Sequence, residues 1–243
     1  MITLQQVSKR YGAIQALNEV SLTIGKGDFF VLVGQSGSGK TSLLKMLNRL
    51  IEPDSGRIFI DQQDIKMQDL RALRLNTGYV LQQIALFPNL TVEENICLIP
   101  EMKGWSREKR LRAARDLLAQ VDLPAASYLH RYPQELSGGE QQRIGILRAI
   151  IAQPAILLMD EPFSALDPIS RRQLQDLIRR LHQKLKLTIV FVTHDMKEAL
   201  QLADRICILH QGKIVRMDTP GAIMAQPENE IVAQLFSRES GHD

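Results

Sequence analysis

The chain has only two cysteines in 243 residues, Cys97 and Cys207, each inside an otherwise apolar stretch. Two such thiols read as buried and reduced, as in a cytosolic protein. Aromatic residues make up 5% of the chain, and Trp105 is its single tryptophan. Long hydrophobic runs are missing as well. Segments such as 156–159 and 188–192 are far shorter than the ~20 apolar residues that a bilayer-crossing helix takes. No basic segment followed by an apolar one opens the chain, so no secretory signal is expected. Any membrane association is therefore expected to be peripheral. Neither sign of charge dominates, since 30 Lys and Arg stand against 27 Asp and Glu for a net charge of +3. The basic residues are scattered among acids, which argues against nucleic acid as a partner, because its binders concentrate a basic stripe on one face. No repeat and no low-complexity stretch interrupts the chain.

What is present is ordinary in bulk and specific in pattern. An apolar share of 44% and a charged share of 23% suit a globular protein with one large domain or a domain plus a subdomain. Ile2-Thr3-Leu4-Gln5-Gln6-Val7 and Val20-Ser21-Leu22-Thr23-Ile24 alternate as strands do. Phe29-Phe30-Val31-Leu32-Val33 is a continuous apolar run, as a strand buried on both faces requires. Apolar residues at helical spacing predict a helix over 41–50, ended by Pro53 and Gly56. Between about 83 and 135 the pattern turns to helices joined by polar loops, clearest over 107–120, where the charged face reads as solvated. From Ser137 onward, helices (140–152, 170–184) alternate with strands (155–159, 188–192), and a hairpin over 206–215 and a helix over 230–236 follow. Such alternation implies an α/β fold with a mainly parallel sheet wrapped by helices.

Gly34-Gln35-Ser36-Gly37-Ser38-Gly39-Lys40-Thr41 satisfies G-x-x-x-x-G-K-[ST] at every position and sits between a predicted strand and a predicted helix. Glycines let successive backbone N–H groups curl around phosphate oxygens, and the helix that Thr41 and Ser42 open adds its dipole. Lys40 is expected to reach the β- and γ-phosphates, and Thr41 to ligate Mg²⁺. Asp160 and Glu161 end a buried strand, where ligands of open α/β sheets gather. Asp160 is expected in the Mg²⁺ shell, and Glu161 to polarise the water that attacks the γ-phosphate. The alternative for this acidic pair is a cap on the next helix. His194 follows a second such strand and is placed near the γ-phosphate, although a lone histidine there is more often structural. Leu136-Ser137-Gly138-Gly139-Glu140-Gln141-Gln142-Arg143 forms a second glycine loop, with Ser137 as N-cap and Gly138-Gly139 exposing N–H groups to a phosphate. Its bland reading is an ordinary capped helix.

Together these residues resemble an ATP-binding subunit of an ABC transporter over essentially the whole chain. The 136–143 loop is similar to that family's signature motif. Ser164-Ala165-Leu166-Asp167 resembles its D-loop, His194 its switch histidine, and Tyr79-Val80-Leu81-Gln82 its Q-loop strand and glutamine. Tyr11 stands where the family places an aromatic against adenine. The resemblance implies a P-loop NTPase core (1–82 and 154–243) with an N-terminal antiparallel β-subdomain, and a helical subdomain over 83–153. It also implies that Ser137, Gly138 and Gly139 cap the γ-phosphate of ATP bound to a second copy. Gln82 would touch Mg²⁺ or the attacking water and signal to membrane permease subunits, and Asp167 would keep two copies in register. The expected location is the cytoplasmic face of the cell membrane, with a solute-binding protein as an indirect partner.

A finer resemblance is to importers of osmoprotectants such as glycine betaine, choline and carnitine. It rests on Lys45-Met46-Leu47-Asn48-Arg49-Leu50-Ile51-Glu52-Pro53, Gln82-Gln83-Ile84-Ala85-Leu86-Phe87-Pro88 and Pro100-Glu101-Met102-Lys103-Gly104-Trp105, of which Trp105 reads more readily as packing of the helical insert. Longer members carry C-terminal CBS modules, which are not expected in this sequence. Other readings are an importer of a different small solute, a soluble ABC-type ATPase of DNA repair or translation, and a P-loop kinase. The last leaves the signature loop and D-loop without a task.

Overall fold

The computed structural model describes residues 1–164 and 166–225. The helix expected over 230–236 and Ala165 of the expected D-loop lie outside the described residues. In chain order the elements are β1 (Ile2–Tyr11), β2 (Ile14–Ile24), β3 (Phe29–Val33), α1 (Lys40–Leu47), β4 (Ser55–Ile60), β5 (Gln63–Asp64), α2 (Leu70–Leu75) and β6 (Thr77–Val80). Then come α3 (Val92–Met102), α4 (Arg107–Gln120), α5 (Ala125–Tyr128), α6 (Gly138–Ile150), β7 (Ile156–Asp160) and α7 (Pro168–Leu185). The series closes with β8 (Thr188–Thr193), α8 (Met196–Leu202), β9 (Arg205–His210), β10 (Lys213–Asp218) and α9 (Pro220–Ala225).

The described residues form two compact units, one from residues 1–73 and 186–225, the other from residues between 74 and 185. In the first, β2-β1-β4-β5 make an antiparallel sheet, the N-terminal β-subdomain that the family resemblance implied. The same unit carries β3 between β8 and β9, parallel to both, with β10 antiparallel to β9. Every residue of β3 and β8 is buried, as a continuous apolar run demands. Each large apolar side chain so placed contributes about 1.5–3 kcal/mol relative to exposure. Phe29 and Phe191 meet there with ring centroids 6.0 Å apart.

The second unit pairs β6 with β7 in parallel and surrounds them with helices. The segment 107–120 is helical as read, opened by Ser106, whose Oγ accepts from the Lys109 N–H. Asn95 on α3 is fully buried and fixes the stretch ahead of that helix. Its Oδ1 accepts from the Phe87 N–H, and its amide nitrogen donates to the carbonyls of Phe87, Leu90 and Thr91. Four such bonds offset the cost of burying an amide.

One helix is shorter than its spacing suggests. Expected over 41–50, α1 stops at Leu47, and Arg49 takes φ +53°. The Leu50 N–H then reaches the Lys45 carbonyl (2.9 Å) and the Arg49 N–H that of Met46 (3.0 Å). This is a Schellman termination built on an arginine, without the glycine that would have marked it in the sequence.

Candidate functional site

In the first unit, β3 ends at Val33 and its chain enters the first glycine loop. A side chain on Gly39 would be strained twice over, because φ is +103° and a Cβ would run into the Ala16 carbonyl and, at 2.7 Å, Leu17 Cδ2. Gly34 is similarly confined against the Leu209 carbonyl and Ser38 Oγ. The loop is held to the β9–β10 turn, where the Gly212 N–H donates to the Ser38 carbonyl (3.2 Å). Lys40 is 5% exposed, and its ammonium donates to the carbonyls of Gly34 (2.6 Å) and Gln35 (3.0 Å). The side chain thus folds back over the loop it follows. Gly39 caps α1 with no side chain, and no acid stands in the first turn. First-turn N–H groups of an eight-residue helix therefore face outward with the positive end of the dipole. Gln35 and Ser36 line the mouth, Gly37 is exposed, and Thr41 and Ser42 are half-buried in the first turn. Tyr11, 45% exposed, ends β1 in the same unit.

His194 leaves the neighbouring strand. β3 and β8 are parallel with Val33 opposite Thr193, so Gly34 and His194 emerge from adjacent carboxyl ends. The turn is firmly built. Thr193 Oγ1 donates to Glu198 (2.7 Å) and accepts from the Asp195 N–H (3.0 Å), while Asp195 caps α8 through the N–H groups of Lys197 and Glu198. His194 itself is exposed on that frame.

The second unit repeats the arrangement with acids. β6 and β7 pair in parallel up to Val80 opposite Met159, so Leu81-Gln82 and Asp160-Glu161 leave the same edge. Asp160 is buried at the end of β7, whereas Gln82 is exposed. Glu161 adopts φ +43°, a left-handed conformation that costs a non-glycine residue about 1–3 kcal/mol and persists only where the surroundings enforce it. One enforcing contact is Gln142, buried on α6, whose side-chain amide donates to the Pro162 carbonyl (2.8 Å). The phenol oxygen of Tyr79 is buried without a hydrogen-bond partner. Burial, and then the charge of Asp160, push its pKa upward.

The second glycine loop opens α6 through a full capping box. Ser137 Oγ accepts from the Glu140 N–H (3.3 Å), and the Glu140 carboxylate accepts from the Ser137 N–H (2.7 Å). Ser137 and Gly138 are exposed, Gly139 is half-buried, and a Cβ added at Gly138 would meet nothing within 4 Å. Asp167 is exposed and caps α7, accepting from the N–H groups of Ile169 and Ser170 at 3.0 Å each. Its carboxyl pKa is lowered, first by the Ser170 side chain. Reasoning from sequence passed over Tyr128, whose phenol donates to Glu140 (2.5 Å), and the bond from Gln142 to Pro162. Both join residues twelve or more apart, and neither Tyr128 nor Pro162 belongs to a phosphate-binding pattern.

The residues fit a nucleotide triphosphate. Ser38 Oγ is buried in the first loop without a hydrogen-bond partner, a polar atom that a phosphate oxygen would satisfy. Thr41 and Asp160 are hard oxygen donors of the kind Mg²⁺ takes alongside phosphate and water.

Comparison with known proteins agrees. The family model described as ABC transporter matches residues 17–164. The chain is 54% identical over 240 residues to the glycine betaine/carnitine/choline transport ATP-binding protein OpuCA of Bacillus subtilis, covering 98% of this chain and 63% of that protein. It is 44% identical to the glycine betaine uptake system ATP-binding protein YehX of Escherichia coli, covering 98% of this chain and 77% of that one. The chain thus spans a little under two thirds of the first of these relatives. Among solved structures, the dimeric cassette MJ0796 superposes with a TM-score of 0.82 at 35% identity, over 90% of this chain and 99% of that one. Its post-hydrolysis state bound to ADP and Pi gives 0.80 at 34% identity, with the same coverage. The fold is that of a P-loop NTPase, with the mainly parallel sheet read from the sequence and the N-terminal antiparallel sheet that the resemblance implied, and the chain belongs to the ABC transporter family.

Proposed function

We propose that the chain is the ATP-hydrolysing subunit of an importer for a quaternary ammonium osmoprotectant such as glycine betaine, carnitine or choline. The solute class rests on the likeness to glycine betaine, carnitine and choline transport proteins, and the paired-ATPase reading on the second glycine loop, a helix N-terminus with exposed glycines in a chain that already has a complete phosphate loop. Two copies meet head to tail. Residues 34–41 of one hold ATP through backbone N–H groups and Lys40, with Tyr11 against adenine. Ser137, Gly138 and Gly139 of the other cap its γ-phosphate, and Asp167 keeps the pair in register. Two dimeric structures of one relative, MJ0796, one of them holding ADP and Pi, support a reading in which two copies pair.

Thr41, Asp160 and Gln82 would hold Mg²⁺, whose chemistry is to neutralise charge on the β- and γ-phosphates. Glu161, set in its left-handed turn, accepts a proton from the attacking water. His194, on its rigid turn, donates to the γ-phosphate. Closing the pair works on permease subunits through the surface around Gln82, where Leu81 and Phe87 are exposed. ATP drives closure only as far as it prefers the closed state. The subunit would sit on the cytoplasmic face of the membrane as a peripheral partner of the permease; no helix among the described residues is long and apolar enough to cross a bilayer. A solute-binding protein delivers the cargo to the permease.

Glu161→Gln tests the chemistry. The variant should bind ATP as the parent does, while turnover falls roughly 10²–10⁴-fold, the range general-base catalysis supplies. Hydrolysis at the parent rate would show that Glu161 is not the base.

A further inference from the structure

Glu140 places a carboxylate in the first turn of α6, and nothing in the function above uses it. Its Oε2 accepts from the Ser137 N–H at 2.7 Å, and its Oε1 from the Tyr128 phenol at 2.5 Å. The Arg131 guanidinium lies 4.4 Å from the Tyr128 ring centroid. Tyr128 first, with Ser137 and Arg131 behind it, holds the carboxyl below its usual range, so the group is an anion at neutral pH. The fold does not require that charge. A capping box is completed equally well by glutamine, which keeps the acceptor and loses the charge.

The position matters because a helix N-terminus carries the equivalent of roughly half a positive charge, which favours a single anion. Glu140 already draws on it. The capping box also occupies the N–H groups of Ser137 and Glu140, leaving those of Gly138 and Gly139 for an incoming phosphate. A phosphate seated there approaches a fixed like charge within one helical turn.

We propose that the Glu140 carboxylate, locked by Ser137 and Tyr128, is a built-in brake on ATP-driven pairing. It opposes capture of the partner copy's γ-phosphate by the second loop, and salt relieves it. Tyr128 and Arg131 set its strength by drawing charge away from the loop. The inference rests on the reading in which the second loop meets a nucleotide held by another copy.

The full chain carrying Glu161→Gln is titrated with ATP, and dimer is followed by sedimentation at low and high salt. Adding Glu140→Gln should lower the ATP concentration for half-dimerisation about tenfold at roughly 50 mM salt. At roughly 1 M salt, where the Debye length is about 3 Å, the gain should shrink to about twofold or less. Tyr128→Phe, which removes the compensating donor, should shift the low-salt midpoint severalfold the other way. ATP affinity of the monomer should not change in either variant, because the first loop is untouched. A Glu140→Gln midpoint unchanged or raised at low salt overturns the brake, and so does a gain of equal size at both salts. If Glu161→Gln never pairs with ATP, the reading beneath the brake falls and the brake with it.

Discussion

At the scale of single residues, the surroundings of a group decide its chemistry more than its identity does. Lys40 is nearly buried, and the carbonyls of Gly34 and Gln35 receive the donors at the end of its side chain. Burial, joined at Cys97 by the charge of Glu93, pushes the thiols of Cys97 and Cys207 up to about 11 and about 12. Below about pH 8 both are largely neutral in folded and unfolded chains alike. Above it, the unfolded chain releases protons that the folded chain keeps, so stability falls as pH rises from about 9 through 11. Each unit of pH in that window costs up to about 1.4 kcal/mol per thiol. Urea unfolding from pH 8 to 11 should therefore show a declining midpoint, with a shallower slope once Cys97→Ala and Cys207→Ala are combined. Equal slopes in parent and double variant would mean that the thiols titrate normally. Apolar flanks made the burial of these cysteines legible in sequence. The left-handed turn at Glu161 was not, because the contact holding Pro162 comes from Gln142, twenty residues earlier.

At the scale of elements, α6 joins the two kinds of motif in the second unit. Its first turn carries the second glycine loop, and one residue further on Gln142 grips the carbonyl that follows Glu161. Gln142→Leu keeps the size and apolar packing but leaves the Pro162 carbonyl buried without its donor, a loss of about 1–3 kcal/mol. The expected result is a lower kcat with ATP affinity intact, measured by steady-state turnover beside equilibrium nucleotide binding. Equal loss in both would place Gln142 in general stability instead of in the set of Glu161. Periodicity located β3 and the helix 107–120 to the residue, because each carries a strong local pattern. It did not reveal where α1 ends, since an arginine does the work of the usual glycine there. Nor did it reveal β4, which pairs with β1 from the start of the chain, or the two-residue β5 that pairs with β4.

At the scale of the whole molecule, neither phosphate loop explains the chain without a second copy. The first loop has the backbone, lysine and orphaned serine that the proposed function assigns to a triphosphate. The second has an open helix N-terminus and an acid that restrains its use. Both loops were legible in sequence as glycine patterns opening helices. Their division between two nucleotides was implied by resemblance, and it is the central claim. The most direct test mixes two inactive variants. Lys40→Ala disables the first loop and keeps the second, and Ser137→Arg does the reverse. A mixed pair then contains one composite site with both loops intact. The account predicts that mixing the two proteins restores ATP hydrolysis well above the sum of their separate rates. A mixture no more active than that sum would contradict it, because each loop would then serve its own chain.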